Sequence, residues 1–151
     1  MDGQDSDDQN TVSVNIVERI SQLSAVDWDA CAGEDNPFVS YAFLSALEDS
    51  GSATSKTGWQ PHHLAIGVED GRLLGVVPMY LKSHSQGEYV FDWGWADAYE
   101  RAGGRYYPKL QVAAPFSPVT GPRLLARPGD NADSVRATLI AGMIETVKQY
   151  N

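Results

Sequence analysis

The sequence predicts an α/β fold, a mostly antiparallel sheet flanked by helices, and three observations predict it. Two apolar-rich runs, His63–Val68 and Arg72–Leu81, flank Asp70-Gly71, a pair that favours a type I′ hairpin turn. Residues 24 to 51 hold two short stretches that open on serine and close on glycine, the punctuation of helices. Near the C-terminus, Val135, Leu139, Met143, Ile144 and Val147 recur at helical spacing. With 151 residues, 42% of them hydrophobic, the chain is long enough for one domain with a core of its own.

The elements follow in order. Residues 1–10 (MDGQDSDDQN) contain one apolar residue, Met1, and are expected to be disordered, which leaves 11–151 as the folded part. Val12, Val14 and Ile16 alternate, so Val12 to Ile20 reads as a strand with one buried face. Ser24, with Asp27 three residues on, resembles a capping box for a short helix to Cys31 that Gly33 closes. Asn36-Pro37 marks a turn. Ser40 then caps a helix from Tyr41 to about Asp49, with Phe43, Leu44 and Leu47 on one face and Gly51 at its end. Residues 51–58 (GSATSKTG) are small and polar and read as a mobile loop.

After the hairpin, Gly87 opens a strand from Glu88 to Trp95. Asp97 caps a helical turn to Ala102 that Gly103-Gly104 stops. Lys109–Ala114 and Val119–Leu125 look extended, with Pro108, Pro115, Pro118 and Pro122 confining them to edges. Asp130 is the expected N-cap of the last helix, from about Ala132. That helix runs to Asn151 without a glycine stop, so the chain reads as the N-terminal part of a longer protein.

Composition removes several function classes. The net charge is −9, with Asp2, Asp5, Asp7 and Asp8 all in the first ten residues. Without a basic field, nucleic acid falls far down the list of expected partners, a tRNA donor excepted. No apolar run approaches the ~20 residues that span a bilayer. Cys31 is the single cysteine, so no intrachain disulfide forms and a reducing cytoplasm is the expected compartment. Together with His62, His63 and His84 it makes no metal-ligand set. Cys31 reads as a small buried hydrophobe, and His62-His63 as structural or surface residues.

The block 91–109 is dense in ligand-recognising side chains. Trp93, Trp95, Asp97, Tyr99, Arg105, Tyr106, Tyr107 and Lys109 form the expected substrate-binding set, an aromatic-walled cleft whose hydroxyls and cations grip a polar or carboxylate-bearing substrate. Any one of these aromatics alone reads as core; the cluster beside two glycines reads as a site. Asp97 and Tyr99 have the chemistry of base and acid for amine acylation. The cap role is the stronger reading of Asp97, and Asp92 reads as a solvated strand residue. No catalytic residue is assigned. The stretch Lys109 to Thr120 reads either as a groove for an extended ligand or as a proline-blunted edge.

Three blocks in order, NPFVSYAFLSALEDSG at 36–51, LLGVVPMYLKS at 73–83 and the run Phe91 to Arg123, resemble a FemAB-like family of uncharacterised bacterial proteins. That family carries a peptidoglycan-biosynthesis label within the GNAT-like acyl-CoA N-acyltransferase superfamily. The resemblance implies a GNAT-like fold, of which this chain is the N-terminal half. It implies transfer of an acyl or aminoacyl group to an amine, with acyl-CoA or an aminoacyl-tRNA as donor, and this chain as the acceptor-side wall. The alternative is a non-catalytic module that binds a peptide or glycan on the same fold. The superfamily's pyrophosphate loop, Q/R-x-x-G-x-G/A, is matched poorly: Arg101-Ala-Gly-Gly104 continues with Arg105 and Tyr106. No cofactor is therefore expected in this chain by itself. A half-sheet with an open edge, and an apolar face on the last helix, imply self-association.

Overall fold

The computed structural model describes residues 12–150; the disorder expected for 1–10 falls outside them. Strand β1 (Val12–Val17) leads to helices α1 (Ala25–Ala32) and α2 (Tyr41–Asp49). Strands β2 (Trp59–Pro61), β3 (His63–Val68), β4 (Leu73–Val77) and β5 (Met79–Lys82) come next. Helix α3 (Trp93–Arg101), strands β6 (Lys109–Val112) and β7 (Leu125–Ala126), and helix α4 (Ala132–Gln149) complete the order. The strands form two antiparallel sheets, sheet 1 ordered β1-β3-β4-β7 and sheet 2 ordered β2-β5-β6. The mixed α/β class with antiparallel pairing is as the sequence predicts.

The expected caps at both short helices are present. Ser24 Oγ accepts from the Asp27 N–H and Ser40 Oγ from the Phe43 N–H, each at 3.3 Å. Gly33 and Gly51 take φ of 72° and 78° just past the helix ends, where a side chain would strain the backbone. The α4 cap differs from expectation: Asn131, not Asp130, holds that position, without a side-chain hydrogen bond.

The β3–β4 hairpin forms with a different turn. The Gly71 N–H donates to Val68 O at 2.9 Å, and the Val68 N–H to Arg72 O at 3.0 Å. Gly71 has φ 84° while Asp70 stays out of positive φ. A type I′ turn needs both central residues there, so the loop is the three-residue form closed by a left-handed glycine. Asp70 Oδ1 accepts the Arg72 N–H at 2.8 Å, a local bond typical of turn aspartates. The second run does not remain one strand. Pro78, with no N–H for the ladder, divides it, and β5 crosses into the other sheet.

Sheet 1 is covered on both faces. Ala65, Val76 and Leu125 look toward Trp28, Cys31 and Leu44 of α1 and α2. Leu64, Ile66 and Val77 look toward Leu139 of α4. The helix approaches so closely that a Cβ on Gly75 would lie 2.5 Å from Val135 Cγ1. Val135, Leu139 and Met143 of the predicted apolar face are thus packed on the chain's own sheet. Ile144 and Val147 remain exposed, along with Ile140.

Between the sheets, His63 is fully buried. Its Nδ1 accepts from the Met79 N–H at 3.3 Å, so Nε2 carries the proton and donates to Glu48 Oε1 at 2.8 Å. The other Glu48 oxygen accepts the Ile20 N–H at 3.0 Å. This histidine is a satisfied core group, as the structural reading of His62-His63 holds. Cys31 is buried as well, and desolvation pushes its thiol up to about 11, which makes it a poor nucleophile.

Four segments depart from expectation. The strand expected over Val12–Ile20 ends at Val17, Ile20 opens a 3-10 turn, and Val12 and Val14 of its expected buried face are exposed, because β1 is an edge strand. Residues 51–58 are organised by Thr57, whose Oγ1 donates to Ser52 O at 2.8 Å, with Ala53 buried above it. Val119–Leu125 is not a strand apart from the residue that begins β7. The expected strand Glu88–Trp95 is absent: residues 83–92 have no regular structure and Trp93 opens α3. The reason is spacing, because the inward-facing residues are Glu88 and Asp92, four apart, whereas a strand buries every second one. No helix among the described residues is long and apolar enough to cross a membrane.

Candidate functional site

Sheet 2 carries the site. In the β5–β6 register Lys82 lies opposite Lys109 and Leu81 opposite Leu110, so the two lysines share one face of the sheet and the two leucines the other. Residues 83–92 fold over the lysine face, while the leucine face turns toward the end of α4.

Asp92 is the hub on the lysine face. One carboxylate oxygen accepts from Tyr107 Oη at 2.5 Å, the other from Tyr106 Oη at 2.8 Å and from the Lys109 ammonium. Lys109 Nζ also donates to Tyr106 Oη at 2.9 Å and sits 4.2 Å from the centre of that ring. The Asp92 side chain is 24% exposed and that of Lys109 27%, so the cluster reaches the surface without being washed by it.

Its electrostatics follow from that geometry. Desolvation pushes Asp92 upward, but the hydrogen bonds of Lys109, Tyr107 and Tyr106 outweigh it and hold the carboxyl far below the usual carboxylate range. Burial and the bond to Asp92 raise Tyr107 to about 12. Burial would lower Lys109, yet its bonds to Asp92 and Tyr106 keep it above its ordinary value. At neutral pH Asp92 is therefore a carboxylate, Tyr107 a phenol and Lys109 an ammonium. None of these three sits near the pH where proton exchange is efficient. Its chemistry is recognition by fixed charge and fixed donors.

Beside it lies a cavity of about 370 Å³, floored by Leu81 and Leu110, closed by Val147 and Tyr150 of the α4 end, and rimmed by Arg105, Tyr106, Pro108 and Lys109. Tyr150 is fixed there by a 3.0 Å hydrogen bond between its hydroxyl and His62 Nε2. An apolar floor with cations at one rim suits a ligand that has both an apolar portion and an anionic group. A wider, more open hollow of about 610 Å³ lies elsewhere, between Leu47, Lys56, His84 and Phe116.

The predicted residues divide among three places. Arg105, Tyr106 and Lys109 line the cavity. Tyr107 binds Asp92. Trp93, Trp95, Asp97 and Tyr99 lie on α3, no side chain of which is buried; Trp95 is 76% exposed. Tyr99 alone of these leans on the cluster, its ring 6.0 Å from that of Tyr106. Asp97 is not the expected N-cap but a mid-helix residue, paired on the surface with Arg101 at 2.7 Å. Asp92, read from sequence as a solvated strand residue, is the centre of the network. Lys82 and Glu88 also escaped sequence reasoning. The one available signal was the four-residue spacing of Glu88 and Asp92 within an otherwise aromatic stretch.

The Gly103-Gly104 pair has a structural role. The Gly103 N–H donates to Glu100 O at 2.9 Å and the Gly104 N–H to Tyr99 O at 3.0 Å, the double bond of a Schellman motif at the C-terminus of α3. A helix C-terminus presents carbonyls and negative potential, so it is no cradle for pyrophosphate. Among the described residues no group of three or more His, Cys, Asp and Glu is placed to hold a metal ion.

A family model described as FemAB-like, peptidoglycan biosynthesis/recognition, matches residues 19–151. No curated protein and no solved structure matches the chain.

Proposed function

The chain belongs to the FemAB-like family of peptidoglycan biosynthesis and recognition, and from that premise we propose that its Arg105–Lys109 cavity recognises the acceptor in an acyl or aminoacyl transfer. The acceptor is a peptide or glycan-linked peptide that carries a carboxylate. The observation that carries this reading is the cavity itself: an apolar floor of Leu81 and Leu110, with Arg105 and Lys109 at the rim. Arg105 supplies a planar fork suited to a carboxylate. Tyr106 and Lys109 are already oriented by Asp92, so their ordering is not charged to binding.

On this reading the reaction is N-acyl transfer on a GNAT-like scaffold, with acyl-CoA or aminoacyl-tRNA as donor. The Schellman turn at Gly103-Gly104 does not fit a donor's pyrophosphate, so the donor-side groups are not drawn from it. One observation favours the second reading, a binding module without chemistry: both oxygens of Asp92, the best-placed carboxylate, are already taken by Tyr106, Tyr107 and Lys109. Beside the cavity, β6 is an edge strand, the kind of edge with which an extended peptide can pair.

The test is titration of the protein with soluble peptidoglycan fragments, followed by calorimetry. Saturable binding is expected, weakened about tenfold or more by Arg105→Ala, the loss of one charged contact. No binding, or binding indifferent to Arg105→Ala, overturns the assignment. A transfer assay on the same samples separates the catalytic from the purely binding reading.

A further inference from the structure

Beyond the cavity, the lysine face of sheet 2 holds a second arrangement. Lys82 and Lys109 are direct cross-strand partners, a placement that is unfavourable for like charges. The Lys82 side chain is wholly buried, with its ammonium 3.6 Å above the centre of the Trp59 ring. Burying a cation is costly unless an anion comes with it. Both anions come from a single segment: Glu88 pairs with Lys82, and Asp92 with Lys109. That segment, 83–92, has no regular structure. Between its two carboxylates, Tyr89, Val90 and Phe91 stand 59–82% exposed. It is a strap fastened by two ion pairs.

The strap satisfies the platform incompletely. Lys82 Nζ and Glu88 Oε1 serve each other as an ion pair, and neither has a further partner among the described residues. The Trp59 indole N–H and the Tyr80 hydroxyl are buried without any partner among the described residues. Trp59 is paired with Lys82 across β2 and β5, and Tyr80 lies two residues from Lys82, so both belong to the same face. Trp59 and Glu88 also line a small cavity of about 220 Å³ under the strap's edge. Donors outnumber acceptors there, and unpaired buried donors are rare enough to require an explanation.

We propose that Lys82, Lys109 and Trp59 form a binding site for a compact ligand with two oxyanion groups, and that Glu88 and Asp92 of the strap occupy the positions of those groups until the ligand displaces them. Two carboxylates on one strap serving two lysines define the ligand class, a dicarboxylate or a diphosphate. Such a ligand brings more acceptor oxygens than the strap and can serve the indole N–H as well. Because the strap is tethered, it competes at an effective concentration in the millimolar range; a single oxyanion is too weak a competitor. The site shares Lys109 with the cavity, but Lys82 and Glu88 lie outside it, so variants at those two positions test this proposal separately from the cavity reading.

The test uses the full chain with inorganic pyrophosphate and succinate as separate probes. Glu88→Gln removes half of the internal competitor, so calorimetry should show at least one probe binding about tenfold tighter than to the wild type. Adding Lys82→Met in that background should abolish the gain. Tightening for pyrophosphate alone assigns a phosphoryl ligand, and for succinate alone a carboxylate one. Equal binding by wild type and Glu88→Gln, or binding that survives Lys82→Met, overturns the proposal. Should Glu88→Gln fail to fold, chymotryptic cleavage of the wild type at Tyr89 and Phe91 decides. Saturating probe should speed cleavage as the strap leaves; unchanged or slower cleavage overturns the proposal.

Discussion

Removing the Tyr107 hydroxyl tests whether Asp92 is the organising centre of the site. Tyr107→Phe deletes a 2.5 Å bond to Asp92 Oδ1 and leaves a carboxylate oxygen that is only partly wetted, since the Asp92 side chain is 24% exposed. A hydrogen bond to a charged group contributes about 1.5–3 kcal/mol. With water able to reach part of this oxygen, about 1–2 kcal/mol is the expected loss. In a chain of this size that lowers Tm by roughly 2–4 °C per kcal/mol. Asp92→Asn is more damaging. It removes the charge facing Lys109, and its amide N–H₂ must meet at least one of three donors, for about 3 kcal/mol or more. In the double variant Tyr107→Phe adds little to Asp92→Asn, because its partner is already gone. Urea unfolding of the four proteins at pH 7, followed by circular dichroism, gives the coupling, expected at about 1–2 kcal/mol. A coupling below about 0.5 kcal/mol would show that the hydroxyl and the carboxylate act independently, and the network argument would fall.

Three further outcomes follow from the structure. The Asp92 carboxyl is depressed in the folded protein relative to its ordinary 3.8; its stabilisation is therefore complete above that pH and declines as acid is added below it. The stability gap between wild type and Asp92→Asn should narrow between pH 4 and pH 2 (roughly the window of that decline), and a constant gap would contradict it. Gly75→Ala forces a Cβ to within 2.5 Å of Val135 Cγ1. It should cost about 1–3 kcal/mol by overpacking and be partly rescued by Val135→Ala; no loss in urea unfolding would mean that α4 does not seat on β4. The exposed Ile140, Ile144 and Val147 should support dimers at micromolar concentrations, as exposed apolar stripes do. Sedimentation across a concentration series checks this, and a monomer at every concentration refutes it.

The sequence by itself determined the elements whose causes are local. The serine caps at Ser24 and Ser40 and the glycines at 33 and 51 act within one turn of chain, and each is found where the residues place it. The β3–β4 pairing was legible for the same reason, although whether Asp70 or Gly71 alone would take positive φ was not. Candidate recognition residues were legible as a composition, a dense aromatic and cationic block, and three of them line one cavity.

What the tertiary structure alone decided involves partners far apart in the chain. Asp92 becomes the hub because Tyr106, Tyr107 and Lys109, 14 to 17 residues away, converge on it, and no local pattern marks that convergence. Glu88 to Trp95 read as a strand; it folds as strap and helix because Glu88 and Asp92 answer two lysines on neighbouring strands. Pro78 announces a break, but only the positions of β2 and β6 show that β5 leaves one sheet for the other. Caps and turns are set by interactions over a few residues and can be read from neighbours. Charge pairing, sheet membership and the walls of the cavity are set by which surfaces meet after the backbone closes, and a linear order of residues does not contain that information in readable form.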